Sequence, residues 1–327
     1  MQRYFLPPDA REGQMARIEG ADFHHLARVM RMQPGAAVEI VAAGEPWRAS
    51  VESVDLMAGV ARIRLLERLD QSRESLHPVT LVQGLAKGDK VDSIVRQACE
   101  IGVTRIILFR AVRSVADLPA DRVQGRLDRW RKIAKESCET AHRDVLPEIL
   151  FASSCQAAMA SAGWAGPCGF PGKWLLVPYE SQMLPLPGLR TALQRLQDAA
   201  VEVASPDVRW RGLATGFALG SDTMDPNASE SPAPAPVAAG SAKTGSAHRQ
   251  AAEVAVVIGP EGGFADEEIE LLRTYGATLV TLGPRILRTE TAGVVAVACV
   301  LYELGELENR LSLQTSQEGG VNEHVDA

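Results

Sequence analysis

Two short stretches of the chain combine glycine, proline and charge at a spacing that suits ligand chemistry. The first, VAVVIGPEGGFADEEIE from Val254 to Glu270, is an apolar run, a glycine-rich turn at Gly259-Pro260-Glu261-Gly262-Gly263, and an acidic helix start. A glycine turn opening a helix ordinarily suits phosphate, because helix N-termini favour anions. Here neither G-x-x-x-x-G-K-[ST] nor G-x-G-x-x-G occurs, and Glu261 stands where a phosphate binder would carry lysine. A carboxylate repels phosphate at close range, so the loop suits a neutral or cationic ligand. The competing account is a tight turn whose glycines supply positive φ, with Asp266 and Glu267 favoured by the helix dipole.

The second stretch, LVTLGPRILRTETAGVVAVACVLYE, places a bend at Gly283-Pro284 and a helix starting near Thr289, with Glu290 in its first turn. Thr289 and Glu290 have an ordinary reading as an N-cap and a dipole-favoured carboxylate. Arg285 and Arg288 do not, because two guanidiniums in one short loop repel unless something anionic lies nearby. Ligands of open α/β sheets sit beyond the carboxyl ends of strands, so two adjacent strand ends carrying Gly-Pro loops imply one shared pocket.

The elements that must position these loops begin at His77. PVTLVQGL, DKVDSIVRQACEIG, TRIILF and a long helix over about Asp121 to Thr140 alternate strand with helix. A third strand KWLLVP, a helix near Leu189 to Ala200, then VAVVIG and ATLVTLG complete a parallel α/β sheet. Residues 1 to about 75 read instead as short strands, RYFL, AVEIVAA, RASVESV and GVARIRLLERL, predicting a small barrel or sandwich. Between the first two, FHHLARVMRMQPG predicts a short helix presenting His24, His25, Arg28 and Arg31, side chains able to grip a phosphate backbone or simply to sit solvated. Arg62 and Arg64 share one face of the last strand. Residues 205–250 include ESPAPAPVAAGSAKTGSAH, too poor in large apolar side chains to order itself, and are expected to be a disordered insertion. Residues 311–327 read as a solvated tail.

Composition bounds the function. At 46% apolar and 23% charged, the 327 residues are those of a soluble globular protein. MQRYFLPPDAREG lacks a basic-then-apolar leader, and the apolar run Ala292 to Tyr302 is too short to span a bilayer, so a cytoplasmic location is expected. Five cysteines without a C-x-x-C pair indicate neither a disulfide framework nor a metal site. The net charge of −7 disguises its distribution: residues 301–327 hold six acids against one base, whereas Arg122 to Lys135 holds six bases against Asp128. A local basic surface is therefore compatible with the acidic total.

GPEGGF at Gly259 to Phe264 followed by LGPRILRTETA at Leu282 to Ala292 resembles the SPOUT methyltransferases, and more narrowly the RsmE family of 16S ribosomal RNA (uracil-N3)-methyltransferases. The match extends to Gln83-Gly84, Lys87-Gly88-Asp89-Lys90, Glu100 to Val103, Trp130 to Ala134, Arg143, Pro147 to Ile149 and HHLARVMRMQPG. The resemblance implies an α/β fold: a C-terminal SPOUT parallel-sheet domain (residues 76–310) with a trefoil knot, and a small N-terminal PUA-like β-barrel (residues 1–75) that binds RNA. It implies bent S-adenosyl-L-methionine as cofactor, a homodimer packed around the knot, and 16S rRNA of the small subunit as partner. On it, Arg288 with Arg143 as helper is assigned to the negative charge that develops on uracil, and Glu290 is the candidate base. Glu180, Gly259, Pro260, Glu261, Gly262, Leu282, Gly283, Leu287 and Thr291 are assigned to the cofactor; His25, Arg28, Arg31, Arg62 and Arg64 to the RNA backbone. The rivals are a SPOUT enzyme acting on another RNA position or a ribose 2′-hydroxyl, and a non-catalytic rRNA-binding assembly factor. The chain departs from the family in the tract at 205–250 and at Thr140 and His142, where Glu-Gln-x-Gly-Arg is common.

Overall fold

The computed structural model describes residues 1–70, 72–164, 172–180, 185–204 and 251–308; the predicted insertion at 205–250 and tail at 311–327 lie outside these. The N-terminal unit is built from β1 (Gln2–Leu6), β2 (Arg11–Glu12), β3 (Met15–Ile18), β4 (Ala37–Ala42), β5 (Glu45–Asp55) and β6 (Val60–Arg68). They form one sheet in the order β1-β4-β5-β6-β3-β2, in which β1 and β4 run parallel and the other pairs antiparallel. In β6, Ala61, Ile63 and Leu65 are buried while Arg62 and Arg64 face out, as a period of two requires. The helix expected in FHHLARVMRMQPG is shorter: α1 (Gly20–His24) gives way to a wider turn in which Met30 N donates to His25 O at 2.8 Å. Arg31, at φ 50°, ends it before Pro34.

The second unit alternates as predicted: β7 (Val79–Gly84), α2 (Lys90–Ile101), β8 (Arg105–Phe109), α3 (Ala120–Thr140), β9 (Glu148–Ala152), α4 (Cys155–Ser161), β10 (Lys173–Pro178), α5 (Leu189–Ala204), β11 (Glu253–Ile258), α6 (Asp266–Thr274), β12 (Thr278–Val280) and α7 (Thr289–Glu303). All pairings in its six-stranded sheet are parallel, in the order β12-β10-β11-β7-β8-β9. Successive residues of one strand enter different cores. Leu81 joins Ile94, Trp130, Leu193 and Val297 from α2, α3, α5 and α7, whereas Val82 joins Met159 and Leu272 from α4 and α6. Helices thus cover both faces, which is why these strands read as continuous apolar runs.

Two expectations are corrected. EILFA and the short α4 form an unanticipated strand and helix, so KWLLVP is the fourth strand of the domain rather than the third. The strands that lead into the two Gly-Pro loops, β11 and β12, are not neighbours, because β10 lies between them. After the edge strand β12 the chain turns back, and α7 packs on β11, β7 and α2 at the middle of the sheet.

Buried charge joins the two units. The Arg3 side chain is fully buried and donates to Glu39 Oε2 and Asp144 Oδ1, both at 2.6 Å, and to Arg143 O. Arg73 and the His142 ring also reach Glu39. Burial pushes the Glu39 carboxyl up, but its bonds with Arg73, His142 and Arg3 prevail and lower it from 4.5 to about 2. His142 sits at φ 56°, a left-handed conformation that explains why the resemblance expects glycine there.

Arg143 belongs to this joint and not to the cavity described below. It is 4% exposed, forks onto Glu74 (Nη2 to Oε2 2.5 Å, Nε to Oε2 3.0 Å), and donates through Nη1 to the carbonyls of Cys99 and Val103 at 2.9 Å. These bonds give it a structural part in the joint, and it does not line the cavity that its assignment as a catalytic helper requires.

Candidate active site

The Gly259–Phe264 turn leaves β11 and lies across the end of β7. A Cβ on Gly84 would stand 2.6 Å from Pro260 N, and one on Gly262 would stand 2.6 Å from Arg113 O. Gly263 takes φ +72°. These glycines therefore answer chain-to-chain packing first, where the sequence suggested close approach to a ligand. Glu261 ties the turn to α2: its Oε1 accepts from Lys87 N at 3.1 Å and Lys90 Nζ at 2.9 Å. Burial pushes the Glu261 carboxyl up, but these partners outweigh it and hold it below the ordinary range, while bonding to Glu261 raises Lys90.

The second loop is stitched to the first by Thr289. Its hydroxyl donates to Gly259 O at 2.6 Å and accepts from Gln83 Nε2 at 2.8 Å, so it is a cross-link between strand ends rather than an N-cap. The N-cap position falls to Arg288, which makes no side-chain cap. Gln83 and Thr289 are both buried, so the bond between them does not compete with water.

The two loops and the end of β10 enclose a cavity of about 610 Å³, within the usual range for a small-molecule site. Of the residues assigned to the cofactor or the chemistry, Glu180, Gly259, Pro260, Glu261, Gly262, Leu287 and Arg288 line it. Leu282 and Gly283 line an adjoining pocket of about 110 Å³ that shares Pro178, Tyr179, Glu180, Ile286, Leu287 and Ala292 with the first. Thr291 lines neither; it is exposed on α7, with its N–H bonded to Arg288 O at 2.8 Å. Glu290 lines neither as well: its Oε2 is enclosed 3.3 Å from Lys90 Nζ.

Lys90, Arg113, Tyr179 and Phe264 line the wall without having been singled out. Lys90 stood inside a motif but gave no sign of reaching loops more than 170 positions away. Arg113 stood in a loop with no motif. The wall's lysine is neutralised by Glu261 and Glu290, while Ile258, Phe264 and Leu287 supply apolar surface. That donor set fits S-adenosylmethionine, a ligand with an apolar ring system, a cationic sulfonium and no phosphate.

Of the residues assigned to RNA, Arg28, Arg31, Arg62 and Arg64 are exposed, and α1 packs against β6. Arg64 pairs with Glu52. His25 is half-buried, with Nδ1 3.2 Å from Tyr4 OH and its ring edge-on to Tyr4. It supports the core of the unit as much as its surface.

A family model described as RNA methyltransferase domain matches residues 72–203 and 232–301, and one described as RNA methyltransferase PUA domain matches residues 18–56. Ribosomal RNA small subunit methyltransferase E of Bacillus subtilis (strain 168) is 28% identical over 93% of this chain and 97% of its own. The protein of that name from Mycobacterium bovis is 26% identical over 88% of this chain and 86% of its own. The crystal structure of a ribosomal RNA small subunit methyltransferase E from Neisseria gonorrhoeae bound to S-adenosyl methionine aligns with a TM-score of 0.63. It covers 92% of this chain and 97% of that one at 22% identity, a likeness of fold.

Proposed function

The chain belongs to the RNA methyltransferase family, and from that premise we propose that it methylates N3 of a uridine in 16S ribosomal RNA of the small subunit, using S-adenosylmethionine. The observation that carries the reading is the shared cavity made by two Gly-Pro loops flanking β10 and bonded to each other through Thr289 and Gly259. When bound, the cofactor supplies an electrophilic methyl group. The chain's own part is to seat it against Ile258, Phe264 and Leu287 and to leave Arg288 facing the reacting ring. Glu290 is held beside Lys90 and off the cavity wall, so the geometry gives it a structural role before a catalytic one.

The exposed arginines of the N-terminal unit would hold RNA through phosphates, and the target base must be flipped or splayed out for its N3 edge to be reached. α7 supports a homodimer. It is apolar on nearly every face, yet Thr291, Val295, Ala298, Cys299 and Tyr302 are left partly or wholly exposed, a stripe that a second copy would cover. The return of α7 over the sheet centre supports the knot that the resemblance implies. No described helix is long and apolar enough to cross a membrane, and a ribosomal RNA substrate would put the work in the cytoplasm.

Two measurements test the reading. Calorimetry with S-adenosylhomocysteine should give a saturable heat, and nucleoside mass spectrometry of 16S rRNA from a deletion strain should lack one N3-methyluridine that the complemented strain regains. A missing base methylation at another atom, or a missing ribose methyl, would replace the target; no change and no heat would remove the activity altogether.

A further inference from the structure

Resting on that reading, we propose that Arg113 is a catalytic residue of the chain: paired with Arg288 across the cavity, it contacts the target base and holds the negative charge left when N3 loses its proton. Arg113 lies between β8 and α3, and its backbone is fixed from three sides. Ser114 N donates to Ala111 O at 3.0 Å, and Ala111 N to Ser114 Oγ at 3.1 Å, closing a turn around it. Val112 N donates at 3.1 Å to Glu268 Oε1, whose other oxygen accepts from Ala265 N at 2.9 Å. Gly262 provides the third support, since any Cβ there would strike Arg113 O at 2.6 Å. The glycine assigned to the cofactor thus also seats this arginine.

The side chain, by contrast, is uncommitted. It lines the cavity, is half-exposed, and has as its nearest carboxylate Asp266, 4.0 Å away and itself in solvent. Arg288 has no ion pair among the described residues, whereas Lys90 on the same wall is neutralised twice. Two guanidiniums on one cavity, one without an ion pair and the other with only a solvent-exposed carboxylate at 4.0 Å, repel each other and call for an anion between them. Sheet order decides which. The cofactor-lining segments follow β10, β11 and β12, but Arg113 follows β8, beyond β7 on the far side of β11, so it reaches the cavity from the opposite rim. On this proposal, that rim is where the substrate base enters.

In the step proposed, the N3–H bond breaks with its electron pair left on the ring and its proton passed to solvent water. The charge spreads onto the flanking carbonyl oxygens, where Arg113 and Arg288 donate. N3 then bonds the methyl carbon as the carbon–sulfur bond breaks, and the sulfonium and ring charges cancel, leaving a neutral thioether. No side-chain base is needed, which agrees with Glu290 lying off the wall.

The test uses the full-length protein with labelled S-adenosylmethionine and small-subunit RNA. Arg113→Met should lower kcat by about 10²-fold or more, as loss of one preorganised donor does. It should leave S-adenosylhomocysteine affinity unchanged and move the rise of kcat with pH to higher pH; Arg113→Lys should restore part of both. Three results overturn the proposal: unchanged kcat in Arg113→Met, a loss confined to cofactor affinity, which would assign Arg113 to the cofactor's carboxylate, or a loss of kcat with no pH displacement. A wild-type protein that neither transfers methyl nor binds S-adenosylhomocysteine defeats the parent reading instead, so the two failures are distinguishable.

Discussion

At the scale of single residues, the same chemistry serves two ends. Arg143 and Arg288 both belong to sequence motifs, and both carry a guanidinium, yet one is spent on Glu74 and two carbonyls while the other borders a cavity. Arg143→Met takes the guanidinium away from Glu74 in a site that is 13% exposed, and loss of one partner of a buried pair costs about 3–5 kcal/mol. Urea unfolding should show that loss, with methyl transfer by the remaining folded protein intact; a catalytic defect without destabilisation would return Arg143 to the chemistry. Gly84→Ala should act oppositely, on the site more than on the fold. Its Cβ would press on the backbone of Pro260, a clash worth about 1–3 kcal/mol, and displacement of the turn should weaken S-adenosylhomocysteine binding in calorimetry. The Gly-Pro turns were legible in the sequence because turn chemistry is local. The fate of each arginine was not, because a motif does not say which carboxylate the fold will bring beside it.

At the scale of elements, strand periodicity gave the parallel sheet and most of its helices, and it failed where an element is short or where order in space departs from order in the chain. Five residues of EILFA resemble any apolar segment, and nothing local places β10 between β11 and β12. The consequence is that the two loops cannot meet through neighbouring strands and are joined instead by Thr289. Thr289→Val keeps the shape but leaves Gly259 O without this donor and Gln83 Nε2 with Gly84 O alone, a cost of about 1–3 kcal/mol for a polar group left unpaired. The expected outcome is a lower thermal midpoint together with weaker S-adenosylhomocysteine binding; Thr289→Ser, which keeps the hydroxyl, should restore most of both. Equal behaviour of the valine and serine variants would show that the cross-link does not govern the site.

At the scale of the whole molecule, stability should depend on pH through the joint between the units. The Glu39 carboxyl is lowered from 4.5 to about 2, so its contribution is complete above the ordinary carboxylate range and is lost as pH falls through that interval. Urea midpoints measured from pH 6 downward should therefore fall more steeply for the wild type than for Glu39→Gln, whose curve starts lower because Arg3 has lost one of its two carboxylates. Parallel curves would mean that the joint is not what titrates. The joint was not legible in the sequence, because its members, Arg3, Glu39, Arg73, His142 and Asp144, are scattered across the first half of the chain. On the proposed reading, with Arg3 sealed between the units, the β6 arginines and the cavity would act as the two jaws of a caliper. Such a tool would choose its base by the length of RNA between grip and pocket, and the shape of the folded RNA, more than the letters around the uridine, would be what is read.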